Sequence, residues 1–339
     1  MAGEVSRRHL GVDAVRGFAL ISMFVAHAAP FDPDDLLRLS DFLTAALFAT
    51  LVGVGAGMRA RPGWAGYVAA LIRGAVLIGV GLLLEDAGSQ VVVILVFLGL
   101  LTWLMALLRP FPSWALAVLA VALFAAVPWL RDSWQDEYVE AFVSGDDLEQ
   151  RLLELTFVGP YYRLSTLAIW ALIGMIAART FLRRRGNRLA ALWQLALGMA
   201  ALAAAAVMYV VLHGTEETAE LEPYTGTQTE IVFNALLATG VLLVLAWVAD
   251  RLPHLFGWMA DMGRMSLTLY TLQIIWLAYL ARVVLDGRTD DGWLTLASLI
   301  GGSVVLAVAW SRIPPSSPFA RGPMEAGTDA LVRLATRGR

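Results

Sequence analysis

The sequence predicts an all-α, polytopic integral membrane protein with about ten transmembrane helices. Hydrophobic residues make up 59% of the 339 residues, only 16% are charged, and the mean hydropathy is +0.69. A soluble domain is typically about one quarter charged. The apolar residues are grouped into stretches of about twenty, the length of a helix that crosses a bilayer. Arginine-rich and acid-rich segments alternate between these stretches.

Ten apolar stretches are candidate spans, and the breaks between them contain Pro, Gly or charged residues. The spans lie approximately at residues 11–29, 40–58, 65–84, 89–108, 113–130, 164–182, 189–212, 230–249, 263–282 and 292–311. A Pro-rich stretch then precedes a short predicted surface helix from Met324 to Leu334. The chain contains no cysteine, which excludes disulfides and thiolate metal sites.

The charge distribution predicts the orientation of the chain. If the N-terminus is cytoplasmic and the spans alternate, the cytoplasmic side receives 19 arginines and 6 acidic residues. The outer side then receives 6 arginines and 22 acidic residues. Cytoplasmic loops are enriched in basic residues. We therefore expect a multi-pass protein of the cell (inner or plasma) membrane with both termini cytoplasmic. Residues 1–312 would form the transmembrane domain and residues 313–339 a cytoplasmic tail. A twin-arginine export signal at the N-terminus is the alternative reading, but charged residues interrupt its apolar region.

The first span, 11–29, carries three ionisable residues. Arg16 and His27 are eleven positions apart, which places them ~16 Å apart along a helix and ~20° apart around it. Ionisable groups in a span usually face a protein interior or a wet cavity. We therefore interpret this helix as one wall of an active site, with His27 as general base. Asp13, three residues before Arg16, could pair with it. In the alternative interpretation both residues have only a structural role. His27 is then a buried neutral imidazole, and Arg16 anchors the helix at the membrane–water interface.

Polar residues in other spans are further candidates. Arg73 would be buried in the third span and would need an anionic partner, either an acidic side chain or a ligand phosphate. In the ninth span Ser266, Tyr270 and Gln273 share one helical face, which either holds helices together or lines a tunnel. Asn234, in the eighth span, is ambiguous in the same way.

The outer segments are acidic and contain aromatic residues. Residues 131–163 include eight acidic residues together with Tyr161 and Tyr162, and residues 213–229 add four glutamates. These segments are either solvated loops or a lid that binds a polyhydroxylated or cationic acceptor. The sequence contains no metal-binding or nucleic-acid-binding motif, so we expect no metal and no nucleic-acid partner.

At these residues the chain resembles the transmembrane acyltransferase superfamily, which includes the acyltransferase-3, heparan-α-glucosaminide N-acetyltransferase-like and YeiB-like proteins. Its first-span signature is an Asp, then Arg-Gly, then an apolar run to a His. Residues 12–20 (VDAVRGFAL) and His27 match it. Further similar stretches are GPYY at 159–162, GM at 174–175, GRMSLTLY at 263–270 and RGPME at 321–325.

The resemblance implies an acyl-CoA donor, acetyl-CoA in the simplest case, that enters from the cytoplasm, and a carbohydrate-like acceptor on the far side of the lipid bilayer. It also implies that His27 is the catalytic base and that Arg16 is essential. Together with Asp13, these form the candidate catalytic set. Candidate CoA-binding residues are Arg16, Arg73 and Arg264. Candidate acceptor-binding residues are Tyr161, Tyr162, Asn234, Tyr270 and Gln273.

Two other function classes stay open from the residues alone. A transporter or flippase could use the same buried Arg and His residues as an ion or proton path without covalent chemistry. A membrane-embedded binding or assembly subunit is the third reading. The oligomeric state, with a homodimer as one option, does not follow from the sequence.

Overall fold

The computed structural model describes residues 9–30, 36–59, 63–183, 187–213, 221–284, 291–314 and 316–336. Within these ranges the chain is helical and contains no strand. Its α-helices are α1 (Leu10–Ala28), α2 (Leu39–Gly57), α3 (Trp64–Glu85), α4 (Leu95–Leu108), α5 (Ser113–Ser133), α6 (Gln135–Ser144), α7 (Asp147–Leu153), α8 (Leu164–Ala177), α9 (Arg188–His213), α10 (Gln228–Arg251), α11 (Pro253–Arg264), α12 (Ser266–Tyr279), α13 (Trp293–Trp310) and α14 (Pro323–Thr336).

The prediction of an all-α membrane protein is confirmed. In the described part of the chain, nine helical segments are long and apolar enough to cross a membrane, and they coincide with nine of the ten predicted spans. Three of them include a short helical turn at one end of the α-helix. These three are Leu36–Gly57, Leu164–Leu182 and Ser266–Val284.

The fourth predicted span, 89–108, is shorter than expected. Its helix α4 has 14 residues and is therefore about 21 Å long, less than the roughly 30 Å of a bilayer core. The residues from Gly88 to Ile94 are not helical, and the run of β-branched residues at 91–94 has a lower helix propensity than unbranched apolar residues. Val93 and Ile94 are nevertheless buried. Non-helical backbone is tolerated in a membrane protein where the surrounding protein covers it.

Small residues let the central helices pack closely. A Cβ atom at Gly263 of α11 would collide with the carbonyl of Asp13 of α1, and one at Gly17 of α1 would collide with the carbonyl of Met259. Helices α2 and α8 meet in the same reciprocal way through Gly53 and Gly174. Close backbone approach at small residues is typical of helix association in membranes.

The helices divide into a core and a periphery. The first, second and fifth of the nine spans are mostly buried, whereas α5, α9 and α13 are largely exposed. The exposed faces carry large apolar side chains such as Val121, Val210 and Leu294. These faces suit contact with lipid, so α1, α2 and α8 form the buried centre of the bundle.

The tail and the long acidic segment also fold. The predicted helix from Met324 to Leu334 is confirmed as α14, which packs against α3 and α12. Most of residues 131–163 forms α6, α7 and a π-helical turn, Glu154–Val158, instead of an open loop. Arg184 and Arg185, which count toward the basic cytoplasmic side, and the glutamates at 216, 217 and 220 lie outside the described residues.

Candidate functional site

One end of the helix bundle contains a cluster of arginines around a cavity. Arg59 directly follows α2, Arg109 directly follows α4, and Arg16 and Arg73 lie in the first half of α1 and α3. All four line a cavity of about 230 Å³ whose remaining walls are mostly apolar side chains of α2, α3, α4 and α12. An apolar cavity with cationic groups at one end suits a ligand with an anionic head and a long uncharged part.

A second cavity adjoins the first at the arginines. It has a volume of about 350 Å³ and shares Arg16, Arg59 and Arg73 with the first cavity. The tail contributes its other charged groups, which are Arg321, Glu325 and Asp329. Five guanidinium groups from separate parts of the chain therefore surround two connected cavities.

The arginine side chains affect one another electrostatically. Arg59 is accessible to solvent at the cavity, and its pKa is lowered to about 10, first by desolvation next to the surrounding protein and then by the charges of Arg73, Arg109 and Arg16. Like charges held together disfavour one another unless an anion joins them. A cluster of guanidinium groups of this kind is chemically suited to a ligand with several negative charges.

Arg16 and Arg73 both form ion pairs with carboxylates, as Arg321 does with Asp329. The predicted pair between Asp13 and Arg16 forms, with Arg16 Nη1 2.8 Å from Oδ1 of the buried Asp13. Arg73, which was expected to need an anionic partner, has its Nη2 3.6 Å from Oδ1 of Asp329. Arg264 instead forms an ion pair with Asp261 of α11, so the structure brings Arg16 and Arg73 together without it.

The ring of His27 lies against α12. Its Nδ1 is 2.6 Å from Gln273 Nε2, and Gln273 is buried. Tyr270, about one turn earlier on α12, lines the apolar cavity, and its hydroxyl accepts a hydrogen bond from the Ile94 backbone N–H at 3.3 Å. The lining of the cavity includes Arg16 and Tyr270 but not His27. The imidazole is thus about one helical turn of α12 beyond the cavity's Tyr270 end.

The predicted polar face of α12 points inward. Tyr270 and Gln273 are 3% and 2% exposed, and Ser266 lines the same cavity as Tyr270. The N-terminus of α12 is fixed by the tail, because Glu325 accepts hydrogen bonds from the Leu267 N–H and the Thr268 hydroxyl. Burial raises the pKa of Glu325, while these hydrogen bonds act in the opposite direction.

A smaller polar pocket brings together the other predicted residues. Tyr161, Tyr162 and Asn234 line it, together with side chains that sequence reasoning did not single out. The additional polar residues are Asp41, Arg163, Thr166, Tyr224 and Glu230. Its volume is about 10 Å³, roughly the space for the centre of one water molecule.

This polar pocket contains unpaired hydrogen-bonding atoms. Within the described residues, Arg163 Nε, Thr166 Oγ1 and Asn234 Oδ1 are buried without a hydrogen-bond partner. Burial raises the pKa of Tyr162 to about 12 and lowers the pKa of Arg163 to about 10. Buried polar groups normally have partners, so the pocket is chemically suited to a small polar group that both donates and accepts.

Sequence reasoning missed several members of both sites. Arg59 and Arg109 were counted only as basic residues of the cytoplasmic side, Arg321 only as such and as part of the stretch RGPME, and Asp41 only as one acidic residue of the outer side. A usable signal was present, because Arg59 and Arg109 each directly follow an apolar span. The described residues contain no group of three or more His, Asp or Glu side chains that could hold a metal ion.

Comparison with known proteins identifies the family. A family model described as an acyltransferase domain, acyltransferase-3, matches residues 90–312. No curated protein matches the chain at a significant level. The matched region includes α4 to α13 and the polar pocket residues from 161 to 234, whereas Arg16, His27 and Arg73 precede it. Since the match covers about two thirds of an all-helical, multi-pass membrane chain, this protein belongs to the transmembrane acyltransferase-3 superfamily.

Proposed function

We propose that the protein transfers an acyl group, acetyl in the simplest case, from cytoplasmic acyl-CoA to a hydroxyl or amine of an extracytoplasmic, carbohydrate-like acceptor. Family membership supports a membrane acyltransferase in general. The single observation that carries the more specific proposal is the arginine cluster around an apolar cavity that leads to Tyr270, next to the His27–Gln273 pair. In this proposal the arginine-rich end is cytoplasmic, in agreement with the positive-inside rule, and so are both termini.

The two connected cavities match the two parts of an acyl-CoA molecule. Its nucleotide carries several phosphate charges, which guanidinium groups bind through forked, charge-assisted hydrogen bonds. Arg16, Arg59, Arg73, Arg109 and Arg321 would provide these groups. The long arm that ends in the thioester would occupy the apolar cavity, which places the reactive carbonyl at the Tyr270 end.

In the chemical step, His27 would act as general base. The acceptor oxygen or nitrogen attacks the thioester carbonyl while the imidazole takes its proton. The carbon–sulfur bond then breaks, and the departing CoA thiolate receives the proton from the imidazolium. The thioester must reach beyond Tyr270 to meet the His27 ring, so Tyr270 would border the last part of the donor path. An acyl-imidazole intermediate on His27 is the alternative route and would require a ping-pong rate law.

The polar pocket would bind part of the acceptor. It combines hydrogen-bond donors (Arg163, Thr166) and acceptors (Asp41, Asn234), which is the mixture that sugar hydroxyl groups require. Tyr161 and Tyr224 form an edge-to-face aromatic contact with ring centroids 5.8 Å apart. The pocket as it stands has room for one hydroxyl group, so a complete sugar ring would have to displace the exposed Tyr161.

The test uses purified full-length protein, radiolabelled acetyl-CoA and a panel of mono- and oligosaccharide acceptors. We expect wild type to transfer label and His27→Ala to lose transfer while still binding CoA. His254→Ala is the matched control, because His254 is an exposed histidine on α11 and its loss should leave transfer unchanged. Equal transfer by wild type and His27→Ala would remove His27 from the mechanism.

A transporter without covalent chemistry is the second candidate. The observation that favours it is the non-helical segment at residues 88–94, which interrupts an apolar stretch before α4, since interrupted spans line substrate sites in transporters. In sealed vesicles, CoA-dependent flux of an acceptor without label transfer would support this candidate. Label transfer that depends on His27 would exclude it.

A further inference from the structure

The C-terminal helix α14 forms a wall of the larger arginine cavity. Glu325 binds it to α12 through hydrogen bonds from the Leu267 N–H at 2.8 Å, the Thr268 N–H at 3.2 Å and the Thr268 hydroxyl at 2.6 Å. In return, the Met324 N–H donates to the Thr268 hydroxyl oxygen at 3.2 Å. This reciprocal set of bonds fixes the position of α14 relative to the cavity.

Asp329 reaches the arginines from the same face of α14. It lies four residues after Glu325, so both side chains project on one side of the helix. Its two carboxylate oxygens take different partners: Oδ2 is 2.9 Å from Arg321 Nη1, and Oδ1 is 3.6 Å from Arg73 Nη2. The carboxylate also interacts electrostatically with Arg59. Three of the five clustered arginines therefore face one carboxylate.

We propose that Asp329 is a specificity-determining residue of the donor site. Its carboxylate occupies the position of an anionic group of the donor, and a phosphate of the donor must displace this carboxylate in order to bind. This inference rests on the proposed function for the identity of the donor. A ligand with a single negative charge gains little by replacing a carboxylate, whereas a phosphate brings more charge and more acceptor oxygens to the same guanidinium groups. The tail thereby restricts the site to polyanionic donors.

Asp329→Asn tests this inference, because it removes the charge and keeps the size of the side chain. Calorimetry measures the binding of CoA and of inorganic pyrophosphate to the full-length wild type and to full-length Asp329→Asn. We expect the Kd of each probe to fall roughly three- to tenfold in Asp329→Asn, since the ligand no longer competes with a resident anion. Asp329→Glu, which retains the charge, should bind like wild type.

Glu85→Gln is the matched control. Glu85 forms an equally close ion pair with Arg151 but lies outside both cavities, so its loss should leave both Kd values unchanged. Thermal midpoints confirm that each variant is folded. Equal or weaker binding of both probes by a folded Asp329→Asn variant would overturn the inference.

The two probes separate this inference from the proposed function. If wild type binds pyrophosphate but not CoA, the acyl-CoA proposal fails, and the pyrophosphate affinities of wild type and Asp329→Asn still decide the role of Asp329. If neither protein binds either probe, both proposals fail.

Discussion

At the scale of single residues, the contact between His27 and Gln273 determines which imidazole nitrogen is available as a base. The Gln273 amide places Nε2 2.6 Å from His27 Nδ1, while Gln273 Oε1 is buried without a partner among the described residues. An amide side chain presents a donor at its nitrogen end and an acceptor at its oxygen end. Rotating this amide would let Gln273 Oε1 accept a hydrogen bond from His27 Nδ1–H. The buried oxygen then has a partner, and the Nε2 atom of the His27 ring is free to take a proton.

Gln273 should therefore act as a positioning residue for His27. We expect Gln273→Leu to lower kcat roughly 10- to 100-fold, since a partner that fixes a histidine tautomer typically contributes that much. The KM for acetyl-CoA should stay unchanged, because Gln273 does not line either of the two arginine cavities. Steady-state kinetics with the acceptor of the label-transfer assay measure both values. Thr271→Val, on the same helix but bonded to the Leu267 carbonyl, should behave like wild type; an equal loss there would contradict this role.

The arginines make a second prediction at this scale. We expect Arg59→Gln to raise the KM for acetyl-CoA about tenfold with little change in kcat, because it removes one of the charges that face the phosphates. Arg264→Gln provides the comparison, since Arg264 is paired with Asp261 and does not line the cavities in the described chain. A rise in KM for Arg264→Gln instead of Arg59→Gln would favour the assignment made from sequence and contradict the structural one.

At the scale of elements, the interface between α1 and α11 fixes the position of the site helix. Gly263 packs directly on the Asp13 carbonyl, next to the Asp13–Arg16 pair. We expect Gly263→Ala to lower stability by about 1–3 kcal/mol, because the added methyl group would force the two backbones apart. Thermal unfolding in detergent measures the effect.

Gly257, on the same helix, is the matched control for Gly263. An added Cβ there meets no atom within 4 Å, so Gly257→Ala should be neutral or slightly stabilising through its higher helix propensity. If the two variants have the same thermal midpoint, the close contact between α1 and α11 does not contribute to stability.

At the scale of the whole molecule, the distribution of arginine predicts its orientation in the membrane. Because the chain has no cysteine, single-cysteine variants can be labelled without background. We expect a membrane-impermeant maleimide to label Ser144→Cys of α6 in intact cells, but Leu334→Cys of α14 only after the membrane is disrupted. Both positions are exposed on the protein. The reverse pattern would invert the proposed orientation and with it the side from which the donor enters.

Much of the fold could be predicted from the sequence, because local physical rules decide it. Stretches of about twenty apolar residues must be helical in a bilayer, which gave the nine spans that the structure contains. The pair of Asp13 and Arg16 follows from the spacing of three residues on a helix. The shortness of α4 was missed, because hydropathy does not distinguish an apolar stretch that is helical throughout from one whose first residues are not helical.

The sequence by itself determined the membrane class, the positions of the spans and the inward face of α12, since each depends on hydropathy or on the period of a single helix. Only the tertiary structure decided that Arg59, Arg109 and Arg321 join Arg16 and Arg73, that Arg264 does not, and that Asp329 of the tail lies among them. These residues are separated by tens to hundreds of positions. Their proximity follows from close packing of whole helices, which depends on contacts between distant segments and therefore has no local sequence signal.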